Sequence, residues 1–116
     1  MARVLLVDDD PTGLELRQLI LERHQHTVHT ATSAEAAREI RAETNADIIV
    51  LDLRLPDAAD GLALIRHFKT QSPDIRIVVL CGWPQDLENQ PEAALVDAVL
   101  SKPAHTAKLL QAIAGC

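Results

Sequence analysis

Arg3-Val-Leu-Leu-Val7, stopped by Asp8-Asp9-Asp10-Pro11, is the stretch that decides the fold. A short apolar run without alternation reads as a strand buried on both faces, the pattern of a parallel sheet. The acids end the strand. Asp10 suits a helix N-cap and Pro11 a first helical residue. A helix to about His24 follows, with Leu16, Leu19 and Ile20 as its expected apolar stripe.

The same unit recurs outward from there. Thr27 to Ala31 reads as a second strand, and Thr32 with Glu35 has capping-box spacing. Ala34, Ala37 and Ile40 line a second helix to Glu43. Asp47 to Leu51 is a third strand, again stopped by an acid, Asp52. A loop from Leu53 to Asp60 leads to a third helix, Gly61 to Gln71, with Leu64, Ile65 and Phe68 inward. Ile75 to Leu80 is a fourth strand and Cys81-Gly-Trp-Pro84 a loop. A fourth helix is expected over Gln85 to Val96, interrupted by Pro91. Ala98 to Ser101 is a fifth strand. After Lys102-Pro103, Thr106 to Ala114 form a fifth helix with Leu109, Leu110 and Ile113 on one face. Five β-α units imply an α/β, doubly wound, five-stranded parallel sheet with five helices on two faces. Such sheets bind ligands outside the carboxyl ends of their strands.

The 116 residues fit one domain, taken as 1–116. Seventeen acids against eleven Lys and Arg leave a formal charge of −6. That surface disfavours nucleic acid and anionic membrane as direct ligands and suits a cation or a basic partner. One Phe, one Trp and no Tyr leave no stacking platform for single strands. No apolar run approaches a membrane span, and the first residues lead straight into acids rather than forming a secretion signal. The two cysteines, Cys81 and Cys116, show no metal or disulfide framework. A cytoplasmic location is the expectation.

Chemistry gathers at the carboxyl edge. Asp8, Asp9 and Asp10 follow strand one, Asp52 strand three, Cys81 strand four and Lys102 strand five. If strands one and three are neighbours, three or four carboxylates converge beside a lysine. Clustered like charges raise pKa values or call for a cation. A hard dication with oxygen ligands answers that, and Mg²⁺ is the usual one where phosphate chemistry follows. A carboxylate is also a nucleophile towards phosphorus, and a lysine neutralises phosphoryl oxygens. Asp10 is more simply a helix cap. His24, His26 and His29 fall at a helix end and a strand start and read as a solvated turn rather than a metal cluster.

Val4-Leu-Leu-Val-Asp-Asp-Asp-Pro11, Ile49-Val-Leu-Asp-Leu-Arg-Leu-Pro-Asp57 and Ser101-Lys-Pro103, in this order and spacing, resemble the receiver domain of two-component response regulators. The resemblance covers essentially the whole chain and implies the flavodoxin-like strand order 2-1-3-4-5. It implies that Asp52 is the phosphoacceptor, taking its phosphoryl group from a histidine kinase or phosphotransfer protein. Asp9 would bind Mg²⁺ directly, Asp8 through water or from one layer further out, and the backbone carbonyl of Arg54 would be a further ligand. Lys102 would pair with the phosphoryl group, across a cis Lys102–Pro103 peptide. Output would pass by protein contact through the fourth helix, fifth strand and fifth helix. Such a domain is a phosphoacceptor promoting its own phosphoryl transfer and hydrolysis, not an enzyme with a separate substrate.

Four positions depart from the family pattern. Cys81 stands where Thr or Ser is usual, and Val99 where an aromatic switch residue is usual. The loop after Asp52 has two alanines, Ala58 and Ala59, where one residue is common, and Leu95-Val96 replaces a small pair. Arg54 and Trp83, two residues beyond Asp52 and Cys81, are large at places that gate attacking water in the family. Two other functions stay open at this point. One is a degenerate receiver that binds a partner without phosphorylation. The other is a haloacid-dehalogenase-like phosphatase, in which Asp8 of Asp8-Asp9-Asp10-Pro11-Thr12 is the nucleophile.

Overall fold

The computed structural model describes residues 2–55, 57–102 and 106–114. Its elements run β1 (Arg3–Val7), α1 (Pro11–Arg23), β2 (Thr27–Ala31), α2 (Ala34–Thr44), β3 (Ile48–Asp52), α3 (Ala58–Gln71), β4 (Arg76–Cys81), β5 (Ala98–Ser101) and α4 (Thr106–Ala114). The strands form one parallel sheet in the order β2-β1-β3-β4-β5.

The strands with continuous apolar runs lie in the middle, where both faces are covered. Their alternate residues feed two cores. Leu5, Val7, Ile49, Leu51, Ile77 and Val79 face Ala37 of α2 and Leu64, Ile65 and Phe68 of α3. Val4, Leu6, Ile48, Val50, Val78 and Leu80 face Leu14 and Leu21 of α1 and Leu109 and Ile113 of α4. Each large aliphatic side chain fully buried this way contributes about 1.5–3 kcal/mol over an exposed one.

Local chemistry sets the helix starts. Asp10 Oδ1 accepts the Thr12 N–H at 3.2 Å, and Pro11 follows as first helical residue. The cap of α2 is Ser33, whose Oγ accepts the Ala36 N–H at 3.1 Å, rather than the expected Thr32. The third helix begins at Ala58, so both alanines of the longer loop enter its first turn, with Asp57 as N-cap. Gly61 fits there because its Cα faces the β3 exit: an added Cβ would stand 2.0 Å from the Leu53 carbonyl oxygen.

Two further expectations are corrected. Residues 85–96 do not form an α-helix; they hold two 3-10 turns, Pro84–Asp86 and Pro91–Leu95. Pro91 lacks an N–H and forces Gln90 out of helical geometry (φ −93°, ψ 143°), and Asn89 turns the chain with φ 62°. The described residues therefore hold four α-helices, and the expected fifth helix is α4. The second correction concerns α1. Its inward side chains are Leu14 and Leu21, whereas Leu16 and Leu19 are 60% and 50% exposed.

Candidate functional site

Because β1 and β3 are adjacent, with Val7 opposite Leu51, the residues that leave them come together. Carboxylate oxygens of Asp8, Asp9 and Asp52 lie within 4.8 Å of one another, the one such group among the described residues. Lys102, leaving β5, reaches across β4. Its Nζ stands 2.6 Å from Asp52 Oδ2 and 3.7 Å from Asp8 Oδ2.

The three acids differ in environment. Asp8 is buried; its Oδ1 accepts the Asp10 N–H at 3.0 Å and its Oδ2 accepts from Arg17 at 2.5 Å. Burial pushes its pKa up, but the Asp10 N–H, Lys102 and Arg17 outweigh that and hold it below the usual carboxylate range. Asp9 is exposed, and among the described residues no cation pairs with it. Partial desolvation, then the charges of Asp8 and Asp52, raise its pKa above the usual value. Asp52 is 9% exposed, and its Oδ1 accepts the Arg54 N–H at 3.3 Å.

This donor set fits a small hard dication. All three groups offer oxygen. Their spread is close to the separation of opposite ligands around Mg²⁺, about 4.1 Å. Asp9 keeps an uncompensated charge that a cation would relieve.

A cavity of about 160 Å³ opens beside Asp52, lined by Leu53, Arg54, Cys81, Gly82, Trp83, Asp86 and Lys102. Cys81 is buried and donates its S–H to the Trp83 carbonyl oxygen at 2.9 Å. Arg54 turns outward: Nε and an NH2 group bind Asp86 at 2.7 and 3.1 Å, and its guanidinium lies 5.2 Å from the Trp83 ring centroid. That pairing holds Asp86 below the usual carboxylate range. Val99 is 49% exposed on β5.

The structure thus gathers Asp8, Asp9, Asp52, Cys81, Arg54 and Lys102 at one edge, as the sequence leads one to expect. The histidines stay apart from it. His24 Nδ1 lies against the Ile20 carbonyl, His26 Nδ1 accepts the Ala2 N–H at 3.0 Å, and His29 is exposed on β2. The expected cis Lys102–Pro103 peptide and Cys116 lie outside the described residues. Sequence reasoning missed Arg17 and Asp86. A basic residue spaced with Leu14 and Leu21 was the available signal for Arg17; Asp86 had none, since it meets Arg54 only through the fold.

Comparison with known proteins agrees with this geometry. The response regulator receiver domain family matches residues 4–114. The virulence transcriptional regulatory protein PhoP of Salmonella typhimurium is 34% identical over 116 residues, covering 95% of this chain and 49% of PhoP. The response regulator protein PilR of Pseudomonas aeruginosa is 28% identical over 113 residues, covering 97% of this chain and 25% of PilR. The chain therefore spans a quarter to a half of these relatives. Among solved structures, a response regulator receiver domain protein from Clostridium thermocellum superposes with TM-score 0.88 at 28% identity, covering 98% of this chain and 92% of that one. TrrA from Thermotoga maritima, solved in complex with Mg²⁺-BeF, shares the fold with TM-score 0.87 at 24% identity, covering 98% and 97%. Acids after β1 and β3, a lysine after β5 and the 2-1-3-4-5 sheet that joins them are explained together by descent: the chain belongs to the response regulator receiver domain family.

Proposed function

We propose that residues 1–116 form one receiver domain that accepts a phosphoryl group on Asp52 from a histidine kinase or phosphotransfer protein. The observation that carries this is the convergence of the Asp8, Asp9 and Asp52 carboxylates within 4.8 Å, with Lys102 at 2.6 Å from Asp52. An Asp52 oxygen attacks phosphorus; an O–P bond forms, the donor's N–P bond breaks, and the departing imidazole keeps the electron pair and takes a proton. The Lys102 ammonium, already seated on Asp52, neutralises the charge gathered on the phosphoryl oxygens. Asp9, Asp52 and the Arg54 backbone carbonyl would hold Mg²⁺, with Asp8 orienting its shell. Bound there, the ion supplies positive charge to the phosphoryl oxygens. The cavity at Asp52 offers space for the transferred group.

Its output is contact with a downstream protein through the face made by the 3-10 turn Pro91–Leu95, β5 and α4. No helix among the described residues is long and apolar enough to cross a membrane. The phosphatase reading is disfavoured: it gives Asp52 no role, and the receiver domain family matches residues 4–114.

Acetyl phosphate with Mg²⁺ tests the proposal. One base-labile phosphoryl group is expected on the protein and none on Asp52→Asn. Equal labelling of that variant sinks the assignment.

A further inference from the structure

Arg17 holds a place on α1 where packing favours an apolar residue. Leu14 and Leu21, three residues before and four after it, are 3% and 0% exposed, so residue 17 shares their inward stripe. The leucines at 16 and 19 lie outside it. The Arg17 side chain is only 20% exposed, and its Nε is buried with no hydrogen-bond partner among the described residues. A buried, unpartnered donor destabilises the fold, so packing does not account for this residue.

What Arg17 does make is the 2.5 Å ion pair to Asp8 Oδ2. Lys102 faces the same oxygen at 3.7 Å, and the Asp10 N–H occupies Oδ1. Asp8, Asp9 and Asp52 are thus set against two fixed cations, Lys102 and Arg17, leaving one negative charge where the cluster without Arg17 would carry two. Arg17 also lines a groove of about 460 Å³ together with Leu16 and Ile20 of α1 and Leu109 of α4. That space lets the guanidinium leave Asp8 without disturbing the core.

Resting on the metal site described under the proposed function, we propose that Arg17 is a resident counter-cation that competes with the divalent ion for Asp8. It keeps the resting affinity for Mg²⁺ low. A guanidinium does not lose its charge at any physiological pH, so the competition is permanent until the side chain moves.

The test is a Mg²⁺ titration read by fluorescence of Trp83, the single tryptophan, with calorimetry alongside. Releasing Asp8 from its ion pair makes Arg17→Met bind Mg²⁺ about tenfold tighter than the unaltered chain, within the range of coupling between contacting charged groups. Arg17→Lys keeps the charge and stays within about twofold. Arg17→Gln gives the same direction as methionine if the methionine variant fails to fold. In an Asp8→Asn background Arg17→Met changes affinity by less than about twofold, because the competitor then has nothing to compete for. Unchanged or weaker binding in folded Arg17→Met and Arg17→Gln overturns the inference and leaves the metal site standing. So does a tenfold gain that persists with Asp8→Asn. If neither the unaltered chain nor Arg17→Met binds Mg²⁺ at about 50 mM, well above affinities met even at weak sites, the metal site itself is wrong and this inference falls with it.

Discussion

Lys102 sets its ammonium 2.6 Å from Asp52 Oδ2, although fifty residues separate the two in the chain. The lysine leaves an edge strand and crosses β4 to reach the end of a central one. Under the proposed function it would serve the resting state and the transfer step alike: it offsets repulsion among the acids, and it stands where phosphoryl oxygens would gather.

Lys102→Met should therefore act twice. With a third of its side chain exposed, the lysine contributes about 1 kcal/mol to metal-free stability. Labelling by acetyl phosphate should slow by about two orders of magnitude, the scale of losing one charge-stabilising donor. Urea melts and initial labelling rates check both. Labelling at the unaltered rate would remove Lys102 from the chemistry.

The acids have opposite pH signatures. Asp9 has its pKa raised in the fold, so the folded state holds that proton more tightly than the unfolded chain. Stability from this group is highest below its unfolded value of 3.8 and falls as pH rises through the folded value. Asp8 is lowered, so its contribution is present above 3.8 and is lost as pH falls through its folded value. Asp9→Asn should thus raise the metal-free Tm at pH 7 by about 2 °C, a modest gain because the group is exposed. The gain should vanish below the carboxylate range. Saturating Mg²⁺ should stabilise the unaltered chain and not Asp9→Ala. Thermal melts at two pH values, with and without Mg²⁺, decide this.

Gly61 is where α3 closes on the exit of β3. An alanine Cβ would meet the Leu53 carbonyl carbon at 2.7 Å as well as its oxygen, and backbone must move. Gly61→Ala should cost about 2–3 kcal/mol in urea unfolding. It should also slow labelling, because Leu53 adjoins Asp52. A variant within error of the unaltered stability would show that this contact relaxes freely.

Arg54 is tied to Asp86 and lies over Trp83 at the mouth of the Asp52 cavity. Arg54→Ala frees that mouth. The phosphorylated domain should then lose its phosphoryl group several-fold faster, measured as inorganic phosphate release after the donor is removed. Equal lifetimes would show that water reaches the site by another route.

Cys81 and Val99 predict a muted conformational response. Cys81 offers only a weak S–H donor, and it is already used on the Trp83 carbonyl. Val99 lies exposed and has no long ring to exchange between two positions. Little differential contact energy is left to shift a population. Addition of beryllofluoride should move backbone amide resonances near Asp52 strongly and those of Ala98 to Ser101 weakly. Cys81→Thr should enlarge the second set. Large shifts along β5 in the unaltered chain would contradict this.

Much of this molecule is legible in a one-dimensional reading because its signals are local. Val4 to Val7, Ile48 to Leu51 and Ile77 to Leu80 are apolar without alternation, and only a sheet covered on both faces accommodates that. A charged residue at the C-terminal end of a strand in a parallel α/β sheet must emerge at the carboxyl edge, so Asp8, Asp9, Asp52 and Lys102 are placed there by the sequence alone. The phase of α1 is not. Leu14, Leu16, Leu19, Ile20 and Leu21 support more than one stripe, and docking of the helix on the sheet selects Leu14 and Leu21, carrying Arg17 inward to Asp8. Nor is the state of residues 85–96, where helical propensity meets Pro91 and the buried Glu92 pairing with Arg66 of α3. The ion pairs that tune the site join residues 9, 32 and 50 positions apart. Hydrophobic periodicity acts over a turn or a strand, whereas a charge pair depends on where the crossovers return the chain, and only the folded sheet decides that.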